Sequence, residues 1–211
     1  MNSQPNLVLA SASPRRLELL VQIGLQPHAI VAANLDEAPL RNETPSQLAR
    51  RLALSKMAQV RNKAPGQFIL GADTVVAVGR RILPKPGDRQ EARRCLDLLS
   101  GRRHHVFTAV AATAPGGPER VRLVDSVVAF KRLTPGEIDW YLDSDEWRGK
   151  AGGYAIQGRA GRFVRFLRGS YSNVVGLPLF ETANLLEGLG YPVSASVAAT
   201  PGVAEWRGPD D

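Results

Sequence analysis

The sequence of 211 residues contains a single cysteine, Cys95, and only three histidines. One cysteine excludes an intrachain disulfide and a metal cage built from several thiolates. Cys95 lies in the segment EARRCLDLLS, whose apolar positions follow a helical period, and no histidine stands beside it. We therefore expect a buried structural thiol rather than a nucleophile.

Long apolar runs are also missing. No stretch of about 18 apolar residues is present, so the sequence predicts no membrane-spanning helix. The first residues, MNSQPNLVLA, lack the basic start and the long apolar core of a secretory signal. We expect a cytoplasmic protein without a membrane partner.

Acidic residues are in deficit, because 27 lysines and arginines outnumber 20 aspartates and glutamates and give a formal charge of +7. Such a surplus is typical of nucleic-acid-binding proteins. Here, however, the arginines are scattered, and neither a basic run nor interleaved aromatic residues mark such a surface. A basic cleft for a small polyanion explains the same charge. Specific nucleic-acid binding is thus not expected, and an RNA-binding module stays as an alternative that a steep salt dependence would identify.

Hydrophobic periodicity predicts helices alternating with strands and hairpins. Helices are expected at 14–23, 45–62, 88–99, 135–144 and 178–189. Strands are expected at 7–10, 28–32, 68–71, 104–113 and 122–130, with a hairpin at 73–84 and Gly-rich loops at 149–173. This mixture favours an α/β fold, a single domain with a twisted mixed β-sheet flanked by helices. Periodicity ends near residue 192, so we expect a domain at 1–192 and a flexible tail at 193–211, which contains Trp206.

The segment GADTVVAVGRRILPKPGD, residues 71–88, places an acid and a lysine in a hairpin pattern. Gly79 breaks a Val-rich run, which indicates two strands and a turn, and Gly71 and Pro86 are expected to be loop residues on either side. Asp73 is expected at the end of the strand that precedes the hairpin, and Lys85 follows it. A carboxylate and an ammonium group placed in this way suit a metal-bound polyphosphate, although a solvated acid and a solvated lysine on any hairpin would give the same pattern.

The N-terminal segment LVLASASPRR is typical of a strand, a turn of small residues and a helix start. Ser13 suits the N-cap, and Pro14 suits the first helical position. Helix N-termini present free N–H groups and a positive dipole end, and Arg15 or Arg16 can add a bidentate contact to phosphate. The segment therefore predicts an anion site. It is not a P-loop, because the glycine spacing of that motif is absent.

Together with GKAGGYAIQG (149–158) and GSYSNVVGLPL (169–179), these segments closely resemble the Maf family of nucleotide pyrophosphatases, also described as septum-formation inhibitors. The resemblance extends over about residues 6 to 192 and includes LALSK, which ends at Lys56, and SGRRHHVFTAV. It implies two lobes around a cleft, as in inosine triphosphate pyrophosphatases, and hydrolysis of a nucleoside triphosphate to the monophosphate and pyrophosphate. It also implies a divalent cation such as Mg²⁺ or Mn²⁺ and leaves a homodimer open.

The resemblance assigns roles to individual residues. It makes Asp73 the catalytic acceptor, which binds the metal or positions the attacking water. Glu37 is the expected second metal carboxylate, with Asp36 as the competing choice, because Mg²⁺ is usually held by one or two carboxylates plus phosphate oxygens. The expected substrate and phosphate contacts are Ser11, Ser13, Arg15, Arg16, Lys56 and Lys85.

Adjacent histidines in a strand point to opposite faces, so His104 and His105 are not expected to bind one ion together. His104 occupies the histidine position of the family pattern and is expected near the cleft as a hydrogen-bonding group. His105 is expected to be exposed.

Three positions, Arg15, Thr74 and Gln157, resemble the branch of the family that prefers dTTP and UTP. The amide of Gln157 offers both a donor and an acceptor to a base, although it can equally serve as a turn residue. The segment GRAGRFVRFLRGSY is more basic than the commoner family version, so the range of substrates, including modified pyrimidine nucleotides, is left open. A non-catalytic nucleotide- or nucleic-acid-binding regulator of cell division is the alternative, but the full set of carboxylates and lysines favours turnover.

Overall fold

The computed structural model describes residues 5–196, and its centre is a seven-stranded mixed sheet. The strands are β1 (Leu7–Ala10), β2 (Ala29–Ile30), β3 (Phe68–Val78), β4 (Arg81–Leu83), β5 (Arg103–Thr113), β6 (Glu119–Phe130) and β7 (Val164–Arg168). Their order is β2-β1-β3-β5-β6-β7, and β4 also pairs with β3. The β1–β2 and β1–β3 pairs are parallel, whereas the other pairs are antiparallel. The predicted mixed α/β fold is confirmed.

Helices cover both faces of the sheet. They are α1 (Pro14–Gln22), α2 (Pro45–Arg61), α3 (Arg89–Leu99), α4 (Pro135–Leu142), α5 (Tyr171–Val175) and α6 (Leu179–Glu187). Short 3-10 turns occur at Ala151–Gly153, Arg159–Phe163 and Val193–Ser196. Capping boxes begin α2 at Thr44 and α4 at Thr134, each followed by a proline at the first helical position. These local signals explain why the predicted helix starts are close to the observed ones.

The alternation of side chains along β3 divides the core in two. On one face, α2 packs Leu52 and Met57 against Ile69 and Val75. The opposite face holds a larger core, in which α1, α3, α4 and α6 enclose Leu70 and other apolar residues. Neighbouring residues of β3 therefore serve different layers, and this separates Asp73 from Thr74.

The predicted break in β3 after residue 71 is wrong, because β3 continues from Phe68 to Val78. Gly71 serves close packing rather than a turn. A Cβ at Gly71 would lie 2.8 Å from the Ala53 carbonyl oxygen and 2.9 Å from the Met57 nitrogen. The missing side chain thus lets the backbone of α2 approach the sheet.

Asp73 accordingly lies in the middle of a strand, not at a strand end. One edge of β3 pairs continuously with β5. The other edge pairs with β1 as far as Gly71 and with β4 only from Val76, so residues 72–75 face a gap between these two strands. Divergence of strands from a sheet edge opens a crevice, as at the switch points of other α/β proteins. Asp73 and Thr74 lie at this crevice.

The predicted tail begins at residue 193, whereas Val193–Ser196 form a helical turn and Val193 packs against the larger core. Residues 197–211, with Trp206, lie outside the described residues. Between residues 5 and 196, no helix is both long and apolar enough to cross a membrane.

Candidate active site

A cleft of about 460 Å³ opens at the gap in the β3 edge. The turn between β1 and α1 lines the cleft together with residues 148–151, 154–157 and 174–176. The cleft brings together nearly all the residues that the sequence predicts for the site, namely Ser11, Ser13, Arg15, Arg16, Glu37, Lys56, Asp73, Thr74, Lys85 and Gln157. His104 is the exception.

Two carboxylates and two lysines form what we term the carboxylate–lysine cluster, made of Glu37, Lys56, Asp73 and Lys85. The Lys56 ammonium group donates to Asp73 Oδ1 at 2.6 Å and also contacts Glu37 Oε1. Lys85 donates to the other oxygen of Glu37 at 2.5 Å. Asp73 and Lys56 are only 3% and 7% exposed, respectively, whereas the side chains of Glu37 and Lys85 are 37% and 46% exposed. The cluster therefore reaches from the core into the open cleft.

The ion pairs keep Glu37 charged. Burial alone would raise the pKa of Glu37, but the hydrogen bonds and positive charges of Lys56 and Lys85 outweigh it and lower this pKa to about 2. Glu37 consequently remains a carboxylate at any pH at which the protein is expected to work.

The structure distinguishes between the two adjacent acids of the loop. Asp36 is exposed, and its Oδ1 accepts a hydrogen bond from the Ala38 nitrogen at 2.9 Å, which stabilises a local turn. Glu37 instead lines the cleft. Of the two competing candidates, only Glu37 is placed beside Asp73.

The donor set suits a hard divalent cation. Glu37 and Asp73 accept hydrogen bonds from the same ammonium group, so their oxygens lie within two hydrogen-bond lengths of each other. Mg²⁺ is commonly held by one or two carboxylates, with substrate phosphates and water completing its coordination. Among residues 5–196 no group of three or more His, Cys, Asp or Glu side chains is arranged to hold a metal, so a cation in this cleft would depend on ligands from the substrate.

Arg16 joins three separate segments around the cleft. Its Nε donates to the Gly176 carbonyl at 2.9 Å, and its Nη1 and Nη2 donate to Ser11 Oγ and Thr74 Oγ1, each at 3.1 Å. These contacts fix the guanidinium group at the cleft wall, while two of its five N–H groups remain for a ligand. Arg16 is therefore both a structural clamp and a candidate phosphate contact.

The hydroxyl of Thr74 is engaged within the protein. Thr108 donates its only hydroxyl hydrogen to the Asn173 carbonyl at 2.9 Å, so in the 3.0 Å contact between the two threonines Thr74 must donate. Arg16 donates to the same Thr74 oxygen. In this arrangement Thr74 acts on the cleft by holding Arg16, and its hydrogen is not directed to a base.

The other end of the cleft, which we term the cation–amide end, contains Arg15, Lys150 and Gln157. Burial lowers the pKa of both cations, and each also faces a neighbouring positive charge, Arg16 for Arg15 and Arg15 for Lys150. Neither forms an ion pair with an acid in the described part of the chain. Gln157 is exposed, and its side chain has no hydrogen-bond partner there. The Gln157 amide and the two positive charges are therefore available to a ligand.

Lys150 was not among the predicted site residues, although it lies in the GKAGGYAIQG motif. Its ammonium group donates to the Arg148 carbonyl at 3.1 Å. Tyr154 also lines the cleft without having been predicted. A lysine within a glycine-rich motif was the only sequence signal that could have identified this part of the wall.

His104, which was expected near the cleft, is fully buried one layer beneath it and does not line it. Nε2 lies 2.8 Å from the Tyr154 hydroxyl, and the ring packs edge-on against Phe130. Burial, with a smaller contribution from His105, lowers the pKa of His104 to about 4. His104 is thus a neutral hydrogen-bonding group that supports a wall residue of the cleft. His105 lies on the opposite face, half-exposed, and contacts Asp125 at 2.9 Å.

The structure also shows the surroundings of Ser13 and Cys95. Ser13 is the N-cap residue of α1, but its side chain makes no capping hydrogen bond, so the hydroxyl stays free at the cleft. Cys95 is buried in the core, and burial raises the pKa of its thiol to about 11. The predicted structural role of Cys95 is confirmed.

Known proteins are similar to this sequence over most of its length. A family model described as Maf-like protein matches residues 6–189. A dTTP/UTP pyrophosphatase of Caulobacter vibrioides is 59% identical over 90% of this chain and 99% of its own. Proteins of the same name from Maricaulis maris and Rhodospirillum rubrum are 59% and 60% identical, over 91% and 88% of this chain and 92% and 88% of theirs.

Some solved structures resemble the chain distantly. A nucleoside-triphosphatase / dITP/XTP pyrophosphatase from Mycobacterium abscessus matches 92% of this chain and 100% of its own at 16% identity, with a TM-score of 0.42. This score is too low for the likeness to define the fold.

Proposed function

The chain belongs to the Maf family, and on that premise we propose that its domain, residues 1–192, hydrolyses dTTP and UTP to the monophosphate and pyrophosphate. Relatives that are 53–60% identical carry the name dTTP/UTP pyrophosphatase. The observation that carries the proposal is the carboxylate–lysine cluster, which lies in one cleft with Arg16 and the start of α1. This arrangement suits a polyphosphate and a water molecule.

The cations bind and orient the phosphate chain. Cleavage between the α- and β-phosphates develops negative charge on the leaving pyrophosphate, and fixed positive charges stabilise it. Lys56, Lys85 and Arg16 are candidates for these contacts, with Arg15, Ser11 and Ser13 beside them at the start of α1. Because ion pairs and hydrogen bonds already hold Lys56, Lys85 and Arg16 in place, little reorganisation is needed when the substrate binds.

Asp73 is the candidate acceptor for the proton of the attacking water. Lys56 occupies its Oδ1, and no residue between 5 and 196 donates a hydrogen bond to Oδ2. The second oxygen is therefore available to orient water and to accept its proton. A divalent cation held by Glu37, Asp73 and phosphate oxygens would supply Lewis-acid stabilisation of the charge on the phosphates.

Base selection is assigned to the cation–amide end. Uracil and thymine present two carbonyl oxygens and one N–H group. The amide of Gln157 can accept from the N–H group and donate to a carbonyl oxygen, and the guanidinium group of Arg15 can donate to a carbonyl oxygen. A base that presents amino donors instead would leave the site cations facing donors, which is costly in a partly buried site. Thr74 contributes through Arg16 rather than through its own hydroxyl.

The proposal is tested with a panel of common and modified nucleoside triphosphates, with and without Mg²⁺ or Mn²⁺. Pyrophosphate and the nucleotide product are both measured. We expect pyrophosphate and a monophosphate, fastest from dTTP and UTP and lost on chelation of the metal. Release of inorganic phosphate would instead indicate cleavage between the β- and γ-phosphates. Binding without any product would favour the non-catalytic regulator.

A further inference from the structure

Glu37 is held at the cleft by a loop that has no regular structure of its own. Residues 31–44 contain neither helix nor strand. Fixing the backbone of each residue in such a loop costs conformational entropy. Glu37 nevertheless meets both Lys56 and Lys85, so contacts elsewhere must restrict the loop.

One restriction lies three residues before Glu37. Gln59, near the end of α2, accepts a hydrogen bond from the Asn34 nitrogen at 2.9 Å through its Oε1. Its Nε2 donates to the Asn34 carbonyl at 3.0 Å. A single side-chain amide thus binds both backbone groups of Asn34, as a neighbouring strand would.

A second restriction lies immediately after Glu37. Arg51, about 12 Å along α2 from Gln59, donates from Nη2 to the Ala38 carbonyl at 3.0 Å. Its Nε and Nη2 also bind the two oxygens of Glu43, at 2.7 and 2.9 Å. Glu43 in turn accepts a hydrogen bond from the Leu40 nitrogen at 2.9 Å. This charge-assisted, bidentate contact secures the segment from Ala38 to Glu43.

We propose that Arg51 and Gln59 are positioning residues, which clamp the loop to α2 on both sides of Glu37 and thereby place its carboxylate between the two lysines. Lys56 belongs to the same helix, so one rigid element fixes both partners of the Glu37–Lys56 ion pair. Neither Arg51 nor Gln59 lies in a motif that carried the family resemblance. A role for Glu37 in turnover rests on the proposed function, but the clamp itself does not.

The first test compares Arg51→Ala and Gln59→Ala with Arg50→Ala, a matched control. Arg50 is the exposed neighbour of Arg51, and it forms no ion pair within residues 5–196. We expect kcat on dTTP to fall roughly tenfold in each clamp variant, because small misplacements of a site group are costly. The control is expected to keep the parent kcat, and all three are expected to melt within a few degrees of the parent.

Coupling to Glu37 separates positioning from general damage. In a Glu37→Gln background, the clamp variants are expected to cause no further loss of kcat, because the group they position is already gone. If the same tenfold loss persists in that background, Arg51 and Gln59 do not act through Glu37 and the proposal fails.

A second readout needs no catalysis. Nuclear magnetic resonance follows backbone amide hydrogen exchange in residues 34–40 of the parent and of the Arg51→Ala/Gln59→Ala double variant. We expect exchange in this segment to become roughly tenfold faster in the variant, because the loop is released from α2, and to stay unchanged within α2 itself. Equal exchange in residues 34–40 would overturn the clamp even if the protein hydrolyses no triphosphate. Should the double variant not fold, Arg51→Lys and Gln59→Glu, which conserve side-chain volume, replace it with the same expectations.

Discussion

The two ends of the cleft differ in how their charges are paired. In the carboxylate–lysine cluster, each ammonium group contacts a carboxylate, and Lys56 contacts two. At the cation–amide end, Arg15 and Lys150 have no acidic partner among residues 5–196, and the Gln157 amide makes no hydrogen bond to these residues. One end is already assembled, whereas the other keeps its hydrogen-bonding groups for a ligand.

This difference separates two tasks. Groups that are paired before the substrate arrives are preorganised, which favours stabilisation of a charged transition state. Groups without partners gain more from a ligand that satisfies them, which favours discrimination between ligands. Changes in the cluster should therefore affect the rate with all substrates, and changes at the cation–amide end should affect the choice of base.

The largest effect is expected from Asp73→Asn. The substitution keeps the shape of the side chain and an oxygen for Lys56, but it removes the charge that accepts a proton. Turnover of dTTP should fall more than about a hundredfold, with an unchanged circular dichroism spectrum. Activity within about threefold of the parent would remove Asp73 from the mechanism.

The lysines of the cluster should give graded effects. Lys56→Ala leaves two carboxylates without their shared partner, one of them buried, so we expect a roughly hundredfold loss of kcat/KM and a lower melting temperature. Lys85→Ala removes a half-exposed lysine, so we expect about a tenfold loss and little change in melting. If the double variant binds and cleaves dTTP like the parent, neither lysine takes part in binding or turnover.

Gln157→Glu should change the base preference more than the rate. The variant loses the amide donors, and its new carboxylate repels the carbonyl edge of uracil or thymine. Loss of a paired hydrogen bond costs about 1–3 kcal/mol, or roughly ten- to hundredfold in relative kcat/KM. Rates with dTTP and UTP are compared with those for GTP and 7-methyl-GTP at fixed metal and pH. An unchanged ratio would make Gln157 a turn residue and would direct attention to Arg15.

The last effect is on stability rather than on turnover, and it concerns His104, which supports Tyr154. The unfolded chain protonates His104 near pH 6.5, whereas the folded protein resists protonation until about pH 4. The unfolded state therefore binds more protons across this interval, and the free energy of unfolding should fall as the pH is lowered from 6.5 to 4, by about 3 kcal/mol in total. His104→Gln, which does not titrate, should show a shallower decline in denaturant unfolding at pH 7 and pH 4.5. Equal declines would assign the acid sensitivity to other groups.

Local signals in the sequence predicted five of the six described helices well and the strand ends less well. β7 and the start of α5 fall in the segment 149–173, which was predicted as loops. The capping boxes at Thr44 and Thr134 act within a few residues, so they are readable without the fold. Gly71 resembled a loop residue, because sequence alone cannot distinguish a turn glycine from one that admits a packed helix. For this reason Asp73 was predicted at a strand end, although it lies in the middle of β3, beside the gap between β1 and β4.

The sequence also did not show how deeply a side chain is buried. His104 and His105 were correctly separated to opposite faces, since alternation is a property of any strand. Which of the two faces the cleft, the core or solvent depends on the layers that cover β5, and these come from distant parts of the chain. The sequence therefore placed His104 near the cleft, but it did not show that the ring lies beneath Tyr154 and outside the cleft lining.

The amino-acid sequence was enough to identify the components of this protein: the family, most helices and most strands, and the acids, lysines and amide that line the cleft. These follow from local propensity and from motifs in which residue type already implies chemistry. The contacts between these components depend on the packed fold: Lys56 joins Asp73 to Glu37, Thr74 holds Arg16, and Arg51 and Gln59 bind the loop of Glu37. Such contacts join residues far apart in the chain, and their geometry exists only once the sheet and its helices have packed.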